Sequence, residues 1–245
     1  MQFIRPEEHL VKLKRKDFFT HDVFELEFAF EKTVMPYLAG QFVMVIFNVD
    51  GEDLTRAYSI ASSPSGKGFE LCVKRVPGGK GSNFLAELEV GDELKVKGPY
   101  GMFTVKEGNQ NDLLLVATGT GIAPIKGLVT DLLAKGDKRQ IDVIFGVRYV
   151  DDIFYQEYFE ELAKKHDNFR LTMCCSRPDG DADRSCEIVW HGKKGRVTDY
   201  LAEFDLSRKD LGLYVCGNGL MAKEVRQLAL DAGMEKTQIH VESFG

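Results

Sequence analysis

The feature that most constrains this chain is a change in the style of its apolar residues near position 112. Beyond it, Leu113-Leu114-Leu115-Val116-Ala117 is an unbroken apolar run, Thr118-Gly119-Thr120-Gly121 reads as a tight turn, and Ile122 to Leu133 has helical periodicity. A strand that is apolar on both faces belongs in a parallel sheet covered by helices. Further strand patterns at Ile141 to Val147, Phe169 to Cys174 and Leu213 to Cys216 alternate with helical patterns near Phe154 to Lys165, Val197 to Glu203 and Met221 to Ala232. That alternation predicts an α/β domain built on a parallel sheet. Before the change, stretches such as Val23-Phe24-Glu25-Leu26-Glu27-Phe28 and Phe69-Glu70-Leu71-Cys72-Val73-Lys74 alternate in polarity between Gly, Pro and Asp turns, the pattern of an antiparallel β-barrel. The polar stretch Lys106 to Asn111 separates the two, giving two domains, 1–108 and 109–245, and 245 residues suffice for two cores.

Composition removes several function classes. No apolar run is long enough to cross a bilayer, and Met1-Gln2-Phe3 does not begin a leader of the basic-then-apolar kind. The five cysteines are an odd number, and adjacent Cys174-Cys175 is unlike a disulfide framework, so reduced thiols in a cytoplasm are expected. With a net charge of −6 and no polybasic block, nothing favours nucleic acid as a partner.

The turn Ala117-Thr118-Gly119-Thr120-Gly121-Ile122-Ala123-Pro124 follows the first parallel strand. Glycine permits the tight turn, and the next helix offers unpaired N–H groups to an anion such as a pyrophosphate. Pro124 suits the first helical turn and stands where a dinucleotide fingerprint carries its third glycine. A strand-to-helix turn that uses glycine for geometry alone is the competing reading. The second strand ends Gly146-Val147-Arg148, a cation where that fingerprint would place an acidic residue on the ribose hydroxyls. Arg177, beside Ser176, and Arg196 follow the third strand. Together the arginines favour a 2′-phosphate, hence NADPH with NADH as the alternative; each arginine alone fits a solvated surface position equally well.

In the barrel half, Arg56-Ala57-Tyr58-Ser59-Ile60-Ala61-Ser62 places a cation, an aromatic face and a hydroxyl within four positions. By itself this is as well read as a strand end of mixed side chains. The segment resembles the Arg-x-Tyr-Ser signature of the ferredoxin–NADP reductase family. The resemblance continues through Leu71 to Arg75, Gly81-Ser82-Asn83-Phe84-Leu85, Gly98-Pro99-Tyr100-Gly101, Thr118 to Pro124, Cys216-Gly217 and Glu242-Ser243-Phe244, in the family's order.

The resemblance implies an FAD-binding barrel followed by an NAD(P)-binding domain, and roles for named residues. Arg56 would bind the FAD pyrophosphate, Tyr58 would pack on the flavin and ribityl chain, and Ser59 would hydrogen-bond near flavin N5. Ala57, Cys72, Val73 and Lys74 would complete the flavin contacts, and Gly81 with Ser82 would open a short helix whose N-terminus accepts the second phosphate. Thr118 to Gly121, Ser176, Cys216 and Gly217 would serve the nicotinamide dinucleotide. Cys216 would lie beside nicotinamide with Glu242 near it, and Phe244 would cover the isoalloxazine ring. Two departures stand out: the family's plant members end on tyrosine where this sequence has Phe244-Gly245, and the short hairpins at Lys67-Gly68 and Pro77 to Lys80 leave little room for a loop over adenosine.

Cys174, Cys175, Cys186 and His191 match no common zinc spacing, and no Cys-x4-Cys-x2-Cys run holds an iron–sulfur cluster, so no metal is expected. The electron acceptor is then a separate carrier: ferredoxin or flavodoxin, or an oxygenase component in an NADH-dependent alternative. A third reading is an electron-transfer subunit without free diaphorase activity. Lys14, Lys16, Lys80 and Lys97 are candidate docking cations, and a monomer is the favoured state.

Overall fold

The computed structural model describes residues 5–64, 66–106, 108, 110–181, 190 and 192–244. Two compact units emerge. One comprises Met1–Val105 with Ala123–Lys135, the other Lys106–Ile122 with Gly136–Gly245. The helix that follows the glycine turn therefore groups with the barrel residues.

The first unit contains β1 (Glu7–Phe18), β2 (Val23–Phe30), β3 (Phe42–Val49), β4 (Glu52–Ser59), β5 (Gly68–Lys74), helix α1 (Lys80–Glu87) and β6 (Glu93–Tyr100). The strands form one antiparallel sheet in the order β4-β3-β6-β1-β2-β5. An Ile60–Leu71 bridge joins the chain just beyond β4 to β5 and rounds the sheet into a barrel. Alternation fixes the register: Val11 and Leu13 of β1 and Leu94 and Val96 of β6 are buried, whereas Lys95 and Lys97 face solvent. Val11 stands opposite Leu94, and Phe24, Leu26, Phe28, Phe69 and Leu71 complete the same core. A register shift between Leu13 and Arg15 lets β1 bend. Beyond it, Lys16 Nζ donates to the carbonyls of Ala86 and Leu88 at 3.0 and 2.5 Å, satisfying the C-terminus of α1.

Helix α2 (Ile122–Ala134) packs against these strands through an ionic contact absent from the sequence reading. Buried Lys126 pairs with Glu25 at 3.1 Å and with Glu70 at 2.5 Å. Burial opposes the charge on Lys126, but the two carboxylates outweigh it and raise its pKa. Gly127 lets the helix approach closely, because a Cβ there would come within 2.9 Å of the Ser62 carbonyl oxygen.

The second unit contains β7 (Asp112–Thr118), β8 (Ile141–Val147), α3 (Gln156–Lys165), β9 (Phe169–Cys175), β10 (Lys193–Lys194), β11 (Leu211–Asn218), α4 (Gly219–Asp231) and β12 (Ile239–Phe244). Its sheet is parallel, in the order β10-β9-β8-β7-β11-β12. One face, including Leu114, Val116, Ile144 and Val215, packs under Val225 and Ala229 of α4 and under Val197 and Leu201 of a 3₁₀ helix. Because strand side chains alternate, Phe145 points the other way, where Phe154 meets it edge-on at 5.4 Å and Phe159 stacks on Phe169. Strands β10 and β12 escape the sequence reading. The first is two residues long, and the second, Ile239-His240-Val241-Glu242-Ser243-Phe244, is a half-exposed edge strand with too few apolar positions to show a period. Among the described residues, no helix is long and apolar enough to cross a membrane.

Candidate functional site

In the first unit, the residues expected to meet a flavin nucleotide lie on β4, on β5 and at the entrance of α1. Among the described residues edge strand β4 pairs with β3 alone, setting Tyr58 opposite Val43 and Ser59 opposite Phe42. Alternation puts Arg56 and Tyr58 on one face of β4 and Ala57 and buried Ser59 on the other. Helix α1 is seated by Phe84, whose ring stacks on Phe47 of β3 at 4.9 Å. Gly81 then lies against β4: a Cβ there would come 2.8 Å from Tyr58 Oη and 2.9 Å from Arg56 Cγ. Only a residue without a side chain lets the helix entrance reach both groups.

The N-terminus of α1 begins at Lys80 with Gly79 as its cap, one residue before the expected Gly81. Among the described residues no side chain caps it, and its first turn has no acidic residue, so the first amides stay available to an anion. Ser82 serves the loop: its Oγ accepts from the Val76 amide at 3.0 Å, while Asn83 Nδ2 donates to the carbonyls of Val76 and Gly79 at 2.9 and 2.7 Å. Arg75 Nε donates to Asn83 Oδ1 at 2.7 Å, so Arg75 and Asn83 brace the helix entrance, a role their sequence neighbourhood alone does not reveal. Among the described residues the Arg56 guanidinium makes no ion pair and donates to the Thr55 carbonyl at 2.7 Å. Burial pushes the Tyr58 hydroxyl up to about 12, keeping it a neutral donor. Cys72 and Val73 are buried in β5, and Lys74 pairs with Asp22 at 3.0 Å. A cation, a neutral phenol and uncapped helix amides around a missing Cβ fit the pyrophosphate and ribityl portion of FAD.

In the second unit, the expected dinucleotide residues all come to the carboxyl edge of the parallel sheet. Sheet order reverses between β7 and β11, the switch point at which open α/β sheets bind ligands. There the strand ends interlock. A Cβ on Gly121 would come 2.3 Å from the Cys216 carbonyl oxygen, and one on Gly217 would come 2.4 Å from Thr118 Oγ1. Gly217 has φ +145° and Gly119 φ +53°, conformations that glycine adopts freely. Thr118 Oγ1 accepts from the Asn218 amide at 3.3 Å, and Asn218 Oδ1 caps α4 through the Leu220 amide at 2.9 Å. Residues Gly119 to Gly121, Thr120 included, form a 3₁₀ turn leading into α2.

Cys216 stands between Ala117 of β7 and Glu242 of β12 in the register. It is fully buried, and burial together with the Glu242 carboxylate pushes its thiol far up, so it is neutral near pH 7. Phe244, which the resemblance assigns to the flavin, belongs to the second unit, opposite Asn218 and 37% exposed.

The three arginines occupy successive strand ends: Arg148 after β8, Arg177 after β9 and Arg196 after β10. Backbone pairing continues past the strands, with the Ser176 amide donating to the Val147 carbonyl at 3.1 Å and the Arg177 amide to the Arg148 carbonyl at 2.8 Å. Arg148 and Arg177 share Asp181 as ion-pair partner, and Arg196 begins the 3₁₀ helix, its amide held by Asp199. Asp181 and its neighbour Tyr149 are functional candidates that the sequence reading missed; their signals were adjacency to Arg148 and a four-residue offset from Arg177. Of the zinc reading, Cys186 and His191 lie outside the described residues. Cys174 is buried in the core beside Val197, and the Cys175 thiol donates to the Arg148 carbonyl at 3.3 Å.

Comparison with known proteins identifies the family of each half of the chain. The family model described as an oxidoreductase FAD-binding domain matches residues 10–105, and that of an oxidoreductase NAD-binding domain matches residues 115–227. Ferredoxin–NADP reductase B of Sorangium cellulosum is 34% identical over 234 residues, covering 90% of this chain and 92% of the relative. The reductase component of phenol 2-monooxygenase from a Pseudomonas species is 34% identical over 213 residues, 86% of this chain, which spans 58% of that longer protein. A ferredoxin NADP⁺ reductase from Neisseria gonorrhoeae, crystallised with FAD and NADP, shares the fold with a TM-score of 0.80 at 21% identity, over 96% of this chain and 98% of that one. This protein is therefore an FAD- and NAD(P)-binding oxidoreductase, a member of the ferredoxin–NADP reductase family.

Proposed function

We propose that residues 1–108 hold FAD, that residues 109–245 hold NADPH, and that the enzyme passes electrons singly between FAD and a separate carrier, ferredoxin or flavodoxin, in the cytoplasm. The observation that carries the flavin assignment is Gly81, wedged between Tyr58 and Arg56 at an uncapped helix entrance. Bound FAD would supply the redox chemistry, exchanging a hydride with nicotinamide and single electrons with the carrier. Protein groups supply orientation and charge. Arg56 and the first amides of α1 bind the pyrophosphate, Tyr58 holds the ribityl side, and Ser59 offers its hydroxyl near flavin N5. Ala57, Cys72, Val73, Lys74 and Ser82 complete the flavin shell.

Thr118 and the 3₁₀ turn Gly119 to Gly121 receive the dinucleotide pyrophosphate, and Arg148, Arg177 and Arg196, with Ser176, receive the 2′-phosphate. Three cations on successive strand ends support NADPH, because a phosphate there gains charge-assisted hydrogen bonds that a hydroxyl does not. Cys216 and Gly217 border the nicotinamide, with Glu242 beside them, and Phe244 is the aromatic proposed for the isoalloxazine ring. As a neutral thiol, Cys216 contributes shape and polarizability rather than charge.

Of the candidate docking lysines, Lys16 is committed to the end of α1 and Lys80 pairs with Glu52 at 2.7 Å, whereas Lys14 and Lys97 are exposed. A second reading, the reductase component of an oxygenase, is supported by the phenol 2-monooxygenase relative, which matches the ferredoxin–NADP reductase in percentage identity over a shorter stretch. Acceptor competition separates the two. With NADPH in excess, rapid reduction of ferredoxin or flavodoxin supports the first reading; reduction confined to an oxygenase component overturns it.

A further inference from the structure

We infer that Asp181 sets the preference between NADPH and NADH by standing in for the ribose 2′-phosphate between Arg148 and Arg177. This inference rests on the 2′-phosphate reading above and adds a residue that opposes it. Asp181 Oδ2 accepts from Tyr149 Oη at 2.5 Å and from an Arg177 guanidinium N–H, and it lies 3.6 Å from the Arg148 guanidinium. The Arg148 guanidinium in turn lies 5.3 Å from the centre of the Tyr149 ring. Two cations and a phenol thus converge on one carboxylate oxygen, the donor set that an oxygen of a phosphate monoester would use.

Local geometry explains why this carboxylate is the one that arrives. Hydrogen bonding of the Arg177 amide to the Arg148 carbonyl sets the two arginines side by side, and the Gly180 amide donates to the Arg177 carbonyl at 3.1 Å, closing a turn. Gly180 has φ +84°, which folds the chain back and brings Asp181 over the pair. Tyr149 is buried, so its hydroxyl is a fixed donor.

A 2′-phosphate must displace Asp181 before it meets the arginines, whereas the hydroxyl of NADH makes no such demand. The carboxylate therefore costs NADPH affinity and leaves NADH affinity unchanged. Because the Arg148 and Arg177 side chains are 58% and 45% exposed, solvent screens the competition, and the effect is roughly threefold to tenfold.

The test is calorimetric titration of the FAD-loaded enzyme with 2′-phospho-AMP and with 5′-AMP, comparing the wild type with Asp181→Asn, Asp181→Ala and the double variant Arg148→Ala/Arg177→Ala. The expected result is roughly threefold to tenfold tighter 2′-phospho-AMP in both Asp181 variants with 5′-AMP unchanged, and loss of the preference for 2′-phospho-AMP in the arginine variant. If the arginine variant loses that preference while neither Asp181 variant gains, the inference is overturned and the 2′-phosphate reading stands. Weaker 5′-AMP in the Asp181 variants also overturns it, making Asp181 a ribose ligand. If the arginine variant keeps the wild-type preference, the 2′-phosphate reading itself is overturned.

Discussion

Gly121 and Cys216 approach so closely that a single methyl on the glycine would come 2.3 Å from the cysteine carbonyl oxygen. The obstacle is backbone, so it cannot rotate away, and the turn after β7 or the end of β11 must shift. Gly121→Ala is expected to destabilise the protein by about 1–3 kcal/mol, the range for overpacking. It should raise KM for NADPH roughly tenfold or more, since the displaced turn misplaces its ligand. Urea melts and steady-state kinetics check both effects; wild-type KM would separate this turn from the dinucleotide site.

Gly81→Ala acts on the other cofactor. Its methyl would meet Tyr58 Oη at 2.8 Å and Arg56 Cγ at 2.9 Å, lifting the helix entrance from β4. The purified variant should carry well under half of the wild-type flavin, read from the visible to ultraviolet absorbance ratio. Wild-type flavin content would remove Gly81 from the FAD site.

Alanine at Arg148, Arg177 or Arg196, introduced singly, should raise KM for NADPH by about fivefold to twentyfold, the cost of losing one charge-assisted contact. KM for NADH should change less than twofold, since no phosphate is lost. Equal effects on both dinucleotides would contradict the assignment of these three strand ends to the 2′-phosphate.

Buried thiols predict how stability responds to alkali. Cys216 and Cys174 are both held above the ordinary thiol value of 9.0, Cys174 up to about 12, chiefly by burial. A raised native pKa means that the unfolded chain loses protons first as pH rises, so this stabilisation is whole below about pH 9 and falls away above it. Urea midpoints measured from pH 7 to pH 11 should decline from about pH 9, and Cys216→Ala should decline less steeply. Identical slopes would show that Cys216 titrates normally.

Much of this architecture is legible in the sequence because burial imposes a period. The unbroken run Leu113 to Ala117 becomes β7, and Ile141–Val147 becomes β8 with the limits read from the sequence. The glycine turn is visible for the same reason that it is needed: no side chain fits where the turn after β7 meets the end of β11. Contacts made by isolated polar residues carry no such period. Lys126 reads as an ordinary polar position on α2, yet it is buried against Glu25 and Glu70, 101 and 56 residues away in sequence. Asp181 shows only a four-residue offset from Arg177, and its meaning depends on Tyr149 and Arg148 arriving from the end of β8. The flavin group is intermediate: Arg56-Ala57-Tyr58-Ser59 shows suitable chemistry, but only the approach of Gly81 reveals which face of β4 is used.

Anaerobic stopped-flow reduction of the purified protein by NADPH and by NADH decides whether it is an NADPH-oxidising flavoenzyme. A yellow protein whose flavin absorbance is bleached by both donors, faster and at lower concentration by NADPH, is the predicted result. A preparation that takes up no FAD on reconstitution, or a bound flavin that neither dinucleotide bleaches, would contradict it.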